Sequence, residues 1–317
     1  MGNMTAIIPL MKALEVHSRH YVSYGDYSVT TLIDTPRRVQ LLRRHAGNLH
    51  TPPESQAASF VGTGVHNYWE SCLKAIGLVD PDFEVERRVV HYIEDRLISG
   101  RFDILYQQDH IFDIKTCKVW KLIFDPNKEE WTQQQNLYAY LLGLRGVKIK
   151  KISIIAQFLD WIQSNAIRDR EYPQEAVLQF DLDLWSPGEQ EMYLLDRLTR
   201  HKSCENVEDN ELPECTRLER WERWPGGYLV KYAVMKTKEA KKATRVFTNL
   251  HDAIAYFKQK NVPSTGVIEV RYAVRKRCED LCACNLHCND YISYCGRKAN
   301  DKLNDYYTYE EVHAGIQ

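Results

Sequence analysis

Apolar and polar positions recur along this chain with two different periods, and the switches between them predict its elements. Residues 28–46 carry a helical pattern that closes near Gly47, and Thr51-Pro52-Pro53 marks a loop. Trp69, Leu73 and Ile76 return at helical spacing and predict a helix over 64–77. The period then shortens, and strands are expected at 84–92, 97–107 and 109–116. Pro126-Asn127-Lys128 breaks the chain before a helix at 131–143, which Gly143 and Gly146 close. Residues 150–159 form the next expected strand. The order α-β-β-β-α-β predicts an α/β fold.

Beyond about residue 205 the character changes. Tyr228 to Val234 and Thr244 to Phe247 read as strands, Leu250 to Lys258 as a helix, and Lys236 to Lys242 as an exposed basic turn. The expectation is three parts: 1–204 as the core with its N-terminal helical segment, 205–275 as a small ββα insertion or subdomain, and 276–317 as a cysteine-rich segment packing back on the core.

Chemistry concentrates in the middle strands. Ile98-Ser99-Gly100-Arg101-Phe102-Asp103-Ile104-Leu105 and Ile111-Phe112-Asp113-Ile114-Lys115-Thr116 each carry an aspartate where a core residue is usual. Residues two apart on a strand share a face, so Asp113 and Lys115 point one way while Phe112 and Ile114 pack on the other. Asp103 stands between Phe102 and Ile104 and should project away from their apolar face. A hairpin across Gln107-Gln108-Asp109 brings Asp103 towards Asp113. Two carboxylates that close repel unless a cation lies between them, and their oxygens suit Mg²⁺ or Mn²⁺. The adjacent ammonium can orient water or offset charge developing on a phosphate. This is chemistry for cutting a phosphodiester.

The neighbouring motifs are ordered. His66 lies in the helix that begins near Gly62-Thr63-Gly64, then come Gly100-x-x-Asp103, Asp113-x-Lys115 and Gln134-x-x-x-Tyr138, with Gln134 and Tyr138 one helical turn apart. Together with the opening segment Tyr27 to Arg38, this order resembles the RecB-like branch of the PD-(D/E)XK nuclease superfamily over roughly residues 28–160. The resemblance implies a restriction-endonuclease-like core, a central mixed sheet flanked by helices. It implies Asp103, Asp113, Lys115, Gln134 and Tyr138 as catalytic residues, and His66, Asp103, Asp113 and the Ile114 main-chain carbonyl as metal ligands. It favours an exonuclease, since the branch is rich in end-processing enzymes, and so a role in recombination, repair or phage DNA processing. Glu86 is placed like an acidic residue before the catalytic hairpin, although a salt-bridged strand edge explains it equally well.

A second constellation runs from Arg277 to Cys288, with Cys295 beyond it: five cysteines in a polar stretch. Such clustering favours a soft-metal site over isolated buried thiols. Several nucleases of the branch carry a four-cysteine iron–sulfur cluster, with three ligands after the nuclease core and one before it. Here Thr35-Pro36 stands where that early cysteine would be, so a fourth ligand must come from elsewhere. Cys215, Cys278, Cys282 and Cys288 are the preferred set, with Cys284 and Cys295 as rivals. Zinc and [4Fe–4S] both accept four thiolates, and either would act as a structural clasp.

Composition limits the partners. Of 317 residues 44% are hydrophobic, and the formal charge is −1, so no global basic field advertises nucleic acid. DNA contact would need local patches: Arg37-Arg38 with Arg43-Arg44-His45, the Lys115, Lys118 and Lys121 series, or Arg271 with Arg275-Lys276-Arg277. Trp120, Trp131 and Trp161 can stack on bases, though packing explains each as well. No apolar run reaches the length of a membrane span, and the N-terminus lacks the features of a signal peptide. Nine cysteines, an odd count, do not suggest a secreted disulfide framework. The expected setting is the cytoplasm of a bacterial or phage-infected cell. The expected partners are DNA and recombination or replication proteins, with no membrane. The alternative function is a nucleic-acid-binding or structural protein that kept the fold and lost the chemistry.

Overall fold

A computed structural model describes residues 24–49, 57–77, 80–119, 122, 129–222, 228–260, 262–299 and 304–314. The chain divides into two compact units, the first made of 1–40 and 50–207, the second of 41–49 and 208–317. Among the described residues, no helix is long and apolar enough to cross a membrane.

In the first unit, β1 (Tyr27–Ser28) leads into α1 (Val29–Ile33) and then α2 (Pro36–Arg44). The single helix expected over 28–46 is therefore two helices. Pro36 disfavours helical backbone at the residue before it, and the break falls at Asp34-Thr35, where Asp34 is extended at ψ 167°. Pro36 then opens α2 from a position that needs no N–H. The next helix, α3 (Ala57–Gly77), starts before the expected residue 64.

The β region is also more broken than expected. Four short strands follow, β2 (Phe83–Val85), β3 (Arg88–Ile93), β4 (Arg96–Arg101) and β5 (Ile104–Tyr106), before β6 (His110–Cys117). The expected strands at 84–92 and 97–107 each split in two, at Glu86-Arg87 and at Phe102-Asp103, and these breaks face each other. Glu86 N–H donates to the Asp103 carbonyl (2.9 Å) and Phe102 N–H to the Arg87 carbonyl (3.4 Å). Glu86 takes a left-handed φ of +55°, which is uncommon for a side-chain-bearing residue and turns the chain there. The outer halves, β3 and β4, join β1 in one small sheet, and the inner halves, β2 and β5, join the main sheet. Phe102 and Ile104 consequently lie in different apolar clusters, not on one face as the unbroken strand implied.

The main sheet is mixed and flanked by helices. It continues through α4 (Glu129–Gly143), β7 (Lys151–Phe158), α5 (Gln163–Arg168), β8 (Val177–Leu182) and α6 (Pro187–Ser203), with strand order β2-β5-β6-β7-β8. Only the β6–β7 pair is parallel, as the α4 crossover between them allows. Leu73 of α3 packs with Ile104 and Ile114 on one face, while Leu137 and Leu141 of α4 pack with Ile111 on the other. Gly62 permits the close approach of α3: a Cβ there would stand 3.0 Å from Thr116 Oγ1. The strand β8 and the capped helix α6 were not expected from the sequence pattern.

The second unit holds an antiparallel sheet of β9 (Val230–Met235), β10 (Arg245–Phe247), β11 (Val267–Tyr272) and β12 (Asn304–Thr308), ordered β10-β9-β11-β12. Helices α7 (Leu250–Gln259), α8 (Lys276–Asp280), α9 (Asn289–Ala299) and α10 (Tyr309–Ala314) complete it. The expected strand–strand–helix order is seen in β9, β10 and α7, but it does not close on itself. The apolar face of β9 needs β11 beside it, and Phe257 and Ala253 of α7 pack with Ile268 and with Val312 of α10. The cysteine-bearing C-terminal stretch thus supplies a strand and a helix to this unit's own core.

Candidate active site

The paired breaks in the first unit place chemistry where the two sheets diverge. Register between β5 and β6 sets Ile104 opposite Phe112, so the next pair outward is Asp103 and Asp113. Gln107 and Gln108 make the turn with left-handed φ values of +49° and +60°, as tight hairpin turns require. Asp103 Oδ2 accepts the Ile114 N–H at 2.7 Å, taking the place of a ladder partner where the strand has stopped. The same oxygen lies 3.1 Å from His66 Nε2, which α3 presents one turn after Gly62. Glu86 Oε1 stands 3.9 Å from that nitrogen, and one ligand atom from each of His66, Glu86 and Asp103 lies within 4.8 Å of the others.

On the facing side of β6, Lys115 Nζ sits 2.7 Å from Asp113 Oδ2 and donates to Gln134 Oε1 at 2.9 Å. Gln134 Nε2 in turn donates to the Tyr138 hydroxyl at 2.9 Å, one turn along α4. Both α4 residues are buried, so this relay is fixed by packing. Gly100 on β4 makes room for it, since a Cβ there would come within 2.9 Å of two Tyr138 ring carbons. Phe112 and Ile114 point to the opposite, apolar face with Leu73 and Trp69.

The electrostatics are those of crowded acids. Burial pushes the Glu86 carboxyl up to about 7, with the Asp103 charge adding to it and Arg101, 2.9 Å from Glu86 Oε2, opposing. Burial likewise raises Asp113 to about 6, against the pull of Lys115. The hydrogen bond to Asp103 holds the His66 imidazole above its ordinary value, although burial works the other way. Glu86 Oε2 and Asp113 Oδ2 have cations near them in distance, yet neither receives a well-aligned hydrogen bond among the described residues. A divalent cation fits this donor set of one imidazole and several carboxylates, whose mutual repulsion it would relieve.

His66, Asp103, Asp113, Lys115, Gln134 and Tyr138 are therefore brought together in one unit. Glu86 completes the group, and sequence reasoning left it undecided. Its signal was the acidic residue in Phe83-Glu84-Val85-Glu86-Arg87; what was missing was the turn at Glu86 that aims it inward.

The thiols proposed as metal ligands lie in the second unit. Cys278 has Cys282, Cys215 and Cys288 within electrostatic reach, and burial first, then those neighbours, push its thiol up to about 12. Cys284 Sγ lies 3.5 Å from Cys282 Sγ, and Cys295 is beside Tyr291. All nine cysteines are free of disulfides.

Several of the other expected contacts with DNA are spent internally, whereas Lys118 is exposed. Arg37 is buried, Arg38 pairs with Asp34, and Arg44 and His45 meet Asp209. Arg271 pairs with Glu269 and Arg275 with Asp290. Trp131 belongs to a core cluster, and Trp161 packs beside it and donates to the Pro173 carbonyl at 2.8 Å. Trp120 and Lys121 lie outside the described residues.

No protein-family model matches the chain, and no curated protein matches it. Among solved structures it is similar to SSO0001, with 18% identity over 62% of this chain and 86% of that one, at a TM-score of 0.41. It is similar also to an alkaline exonuclease (LHK-Exo) from Laribacter hongkongensis, with 11% identity, 56% and 87% coverage and a TM-score of 0.35. A phage-related exonuclease from Haemophilus somnus 129PT gives 14% identity, 59% and 95% coverage and a TM-score of 0.34. At this level of likeness, the chemistry is read from the side chains themselves.

Proposed function

We propose that this protein is a metal-dependent deoxyribonuclease of the PD-(D/E)XK superfamily, of its RecB-like branch, and acts as an exonuclease in phage-type recombination, repair or DNA processing. The observation that carries the reading is the convergence of His66, Glu86 and Asp103, with Asp113 paired next to them to a lysine held by Gln134. Mg²⁺ or Mn²⁺ held by these groups and the Ile114 carbonyl would polarise the scissile phosphate and lower the pKa of a water. Asp103 organises the site, because its carboxylate ties α3 to β6 through His66 and the Ile114 N–H. Lys115 keeps an ammonium at the partly open edge of the group, where it can hold a phosphate oxygen or an attacking water. Gln134 and Tyr138 fix the lysine's direction.

In the second unit, the proposal is a structural thiolate-bound metal, [4Fe–4S] or Zn²⁺, on Cys215, Cys278, Cys282 and Cys288. It is supported by the grouping around Cys278 and by the ion pairs that tie the two cysteine-bearing segments. Asp290 lies 3.1 Å from Arg220 and 2.9 Å from Arg275. A thiol held protonated by burial would release its proton to solvent as its thiolate bound a metal cation, which would supply the missing positive charge.

Digestion of end-labelled linear and closed circular DNA with purified protein and Mg²⁺ or Mn²⁺ tests the main reading. Linear DNA should shorten from its ends while the circle survives. Cutting of the circle would mean an endonuclease, and intact DNA with both metals would end the nuclease assignment.

A further inference from the structure

Many cations of the described chain are neutralised at close range: Arg38 by Asp34, Arg96 by Glu205, Lys202 by Glu94 and Asp95, Arg220 and Arg275 by Asp290. The segment that joins β9 to β10 departs from this. Lys236, Lys238, Lys241, Lys242 and Arg245 are all exposed, and none pairs with a carboxylate among the described residues. Glu239 is the one acidic residue between them.

The local fold explains why they face outward. Ala240 N–H donates to the Thr237 carbonyl at 3.2 Å and turns the chain. Ala240 and Ala243 then pack down on Ala233, Met235 and Val267, so the charged residues of the turn are left in solvent. Two of the cations are steadied by aromatic rings, which hold them without cancelling charge. Lys238 Nζ lies 4.8 Å from the centre of the Tyr306 ring. The Arg245 guanidinium lies 5.2 Å from Phe247 and 5.4 Å from Tyr256. Charge of one sign is thus carried by one short turn, from Lys238 over Tyr306 of β12 to Arg245 beside Tyr256 of α7, in a chain whose net charge is only −1. Protecting the exposed edge of β10 from strand pairing accounts for one or two lysines. Five unneutralised cations, two of them set on rings, ask for a polyanion.

We propose that the β9–β10 turn, with Lys236, Lys238, Lys241, Lys242 and Arg245, binds the phosphate backbone of DNA without reading sequence. The choice of DNA rests on the nuclease reading above, and the site itself stands on the second unit's own geometry. Contacts of this kind release counterions, so affinity falls steeply with salt, by a log–log slope of about 0.9 for each phosphate neutralised.

The test is binding of a fluorescein-labelled duplex by the full chain in EDTA, followed by anisotropy across a salt series. In K238A/K241A/K242A/R245A, affinity near 0.1 M salt should fall by about tenfold or more and the slope should lessen by about 3.6. K238R/K241R/K242R keeps the charge and should bind like the wild type. The substituted side chains are exposed, so melting should be unchanged, and this is checked by circular dichroism. Unchanged affinity and slope in the alanine variant would overturn the proposal. So would a variant that binds DNA normally but self-associates, which would make the lysines edge protection only. So would loss confined to phosphatidylserine vesicles. Because EDTA prevents cleavage, wild-type protein that binds DNA in EDTA but does not cut it when Mg²⁺ or Mn²⁺ is supplied counts against the nuclease reading and leaves this site standing.

Discussion

Glu86 gives the most exacting check on the electrostatic picture of the site. Its side chain is only 4% exposed, and its carboxyl is pushed from 4.5 to about 7, first by burial and then by Asp103. Over that interval the native metal-free protein binds a proton that the unfolded chain has released, so stability falls as pH rises from the unfolded value through the folded one. Below about pH 4 both states are protonated and the penalty vanishes. At pH 8 it is present in full, about 3 kcal/mol at 1.36 kcal/mol per pKa unit. Glu86→Gln removes the charge at constant shape and keeps the turn. It also forfeits the pair with Arg101, but that attraction is already contained in the raised value of about 7, so nothing further is subtracted for it. In EDTA at pH 8 the variant should therefore gain about 3 kcal/mol in urea denaturation, or about 6–12 °C in Tm for a unit of this size. At pH 5 the gain should shrink below about 1 kcal/mol. In return, Mg²⁺ or Mn²⁺ should stabilise the variant much less than the wild type. A variant less stable than wild type at pH 8, or a gain that ignores pH, would refute the reasoning.

Five other variants have expected outcomes. Asp113→Ala should abolish DNA cleavage while circular dichroism and DNA binding persist, and Lys115→Ala should also inactivate without preventing metal binding, as isothermal titration with Mn²⁺ would show. His66→Ala should raise the Mn²⁺ concentration needed for half-maximal activity with little change in Tm; a large fall in Tm with unchanged metal dependence would make it a packing residue. Gly100→Ala drives a methyl against the Tyr138 ring, so it should cost about 1–3 kcal/mol by overpacking and lower kcat through the displaced Gln134–Lys115 relay, read by denaturation beside cleavage rates. Cys282→Ser should lower solubility and Tm and remove bound metal before it alters the chemistry of protein that stays folded. Elemental analysis and the visible spectrum of anaerobically purified wild type decide between iron–sulfur and zinc, and folded protein with neither would leave ordinary thiols.

Local patterns carried much of the first unit. Helical spacing at Trp69, Leu73 and Ile76 and the run from Trp131 to Leu142 located α3 and α4 to within a few residues, except for the start of α3. Period-two alternation around Asp113 and Lys115 put their side chains on one face because a pleated strand leaves no other choice. Even the facing of Asp103 and Asp113 was legible, since turn length and register suffice for it. The second unit was less so. Val267–Tyr272 and Asn304–Thr308 form strands far apart in the chain, and nothing local announces which edge either will join. The basic segments suffered similarly: sequence shows that Arg37, Arg38 and Arg275 are cationic, but not that Asp34 and Asp290 would claim two of them.

By itself, then, the sequence determined the elements whose side-chain period is repeated over several turns or pleats, and the chemical kinds available to the site. Tertiary structure decided where the long hairpin breaks. Glu86 turns left-handed opposite Asp103, and Asp103 trades a ladder position for the Ile114 N–H. That break is what aims Glu86 at His66, and it arises because two sheets compete for one pair of strands. No window of the sequence contains both partners in that competition, so no local pattern records its outcome. The same holds for the charged turn between β9 and β10. Its lysines are visible in the sequence, but only the packing of Ala240 and Ala243 on the sheet beneath shows that they are held outward and left unneutralised.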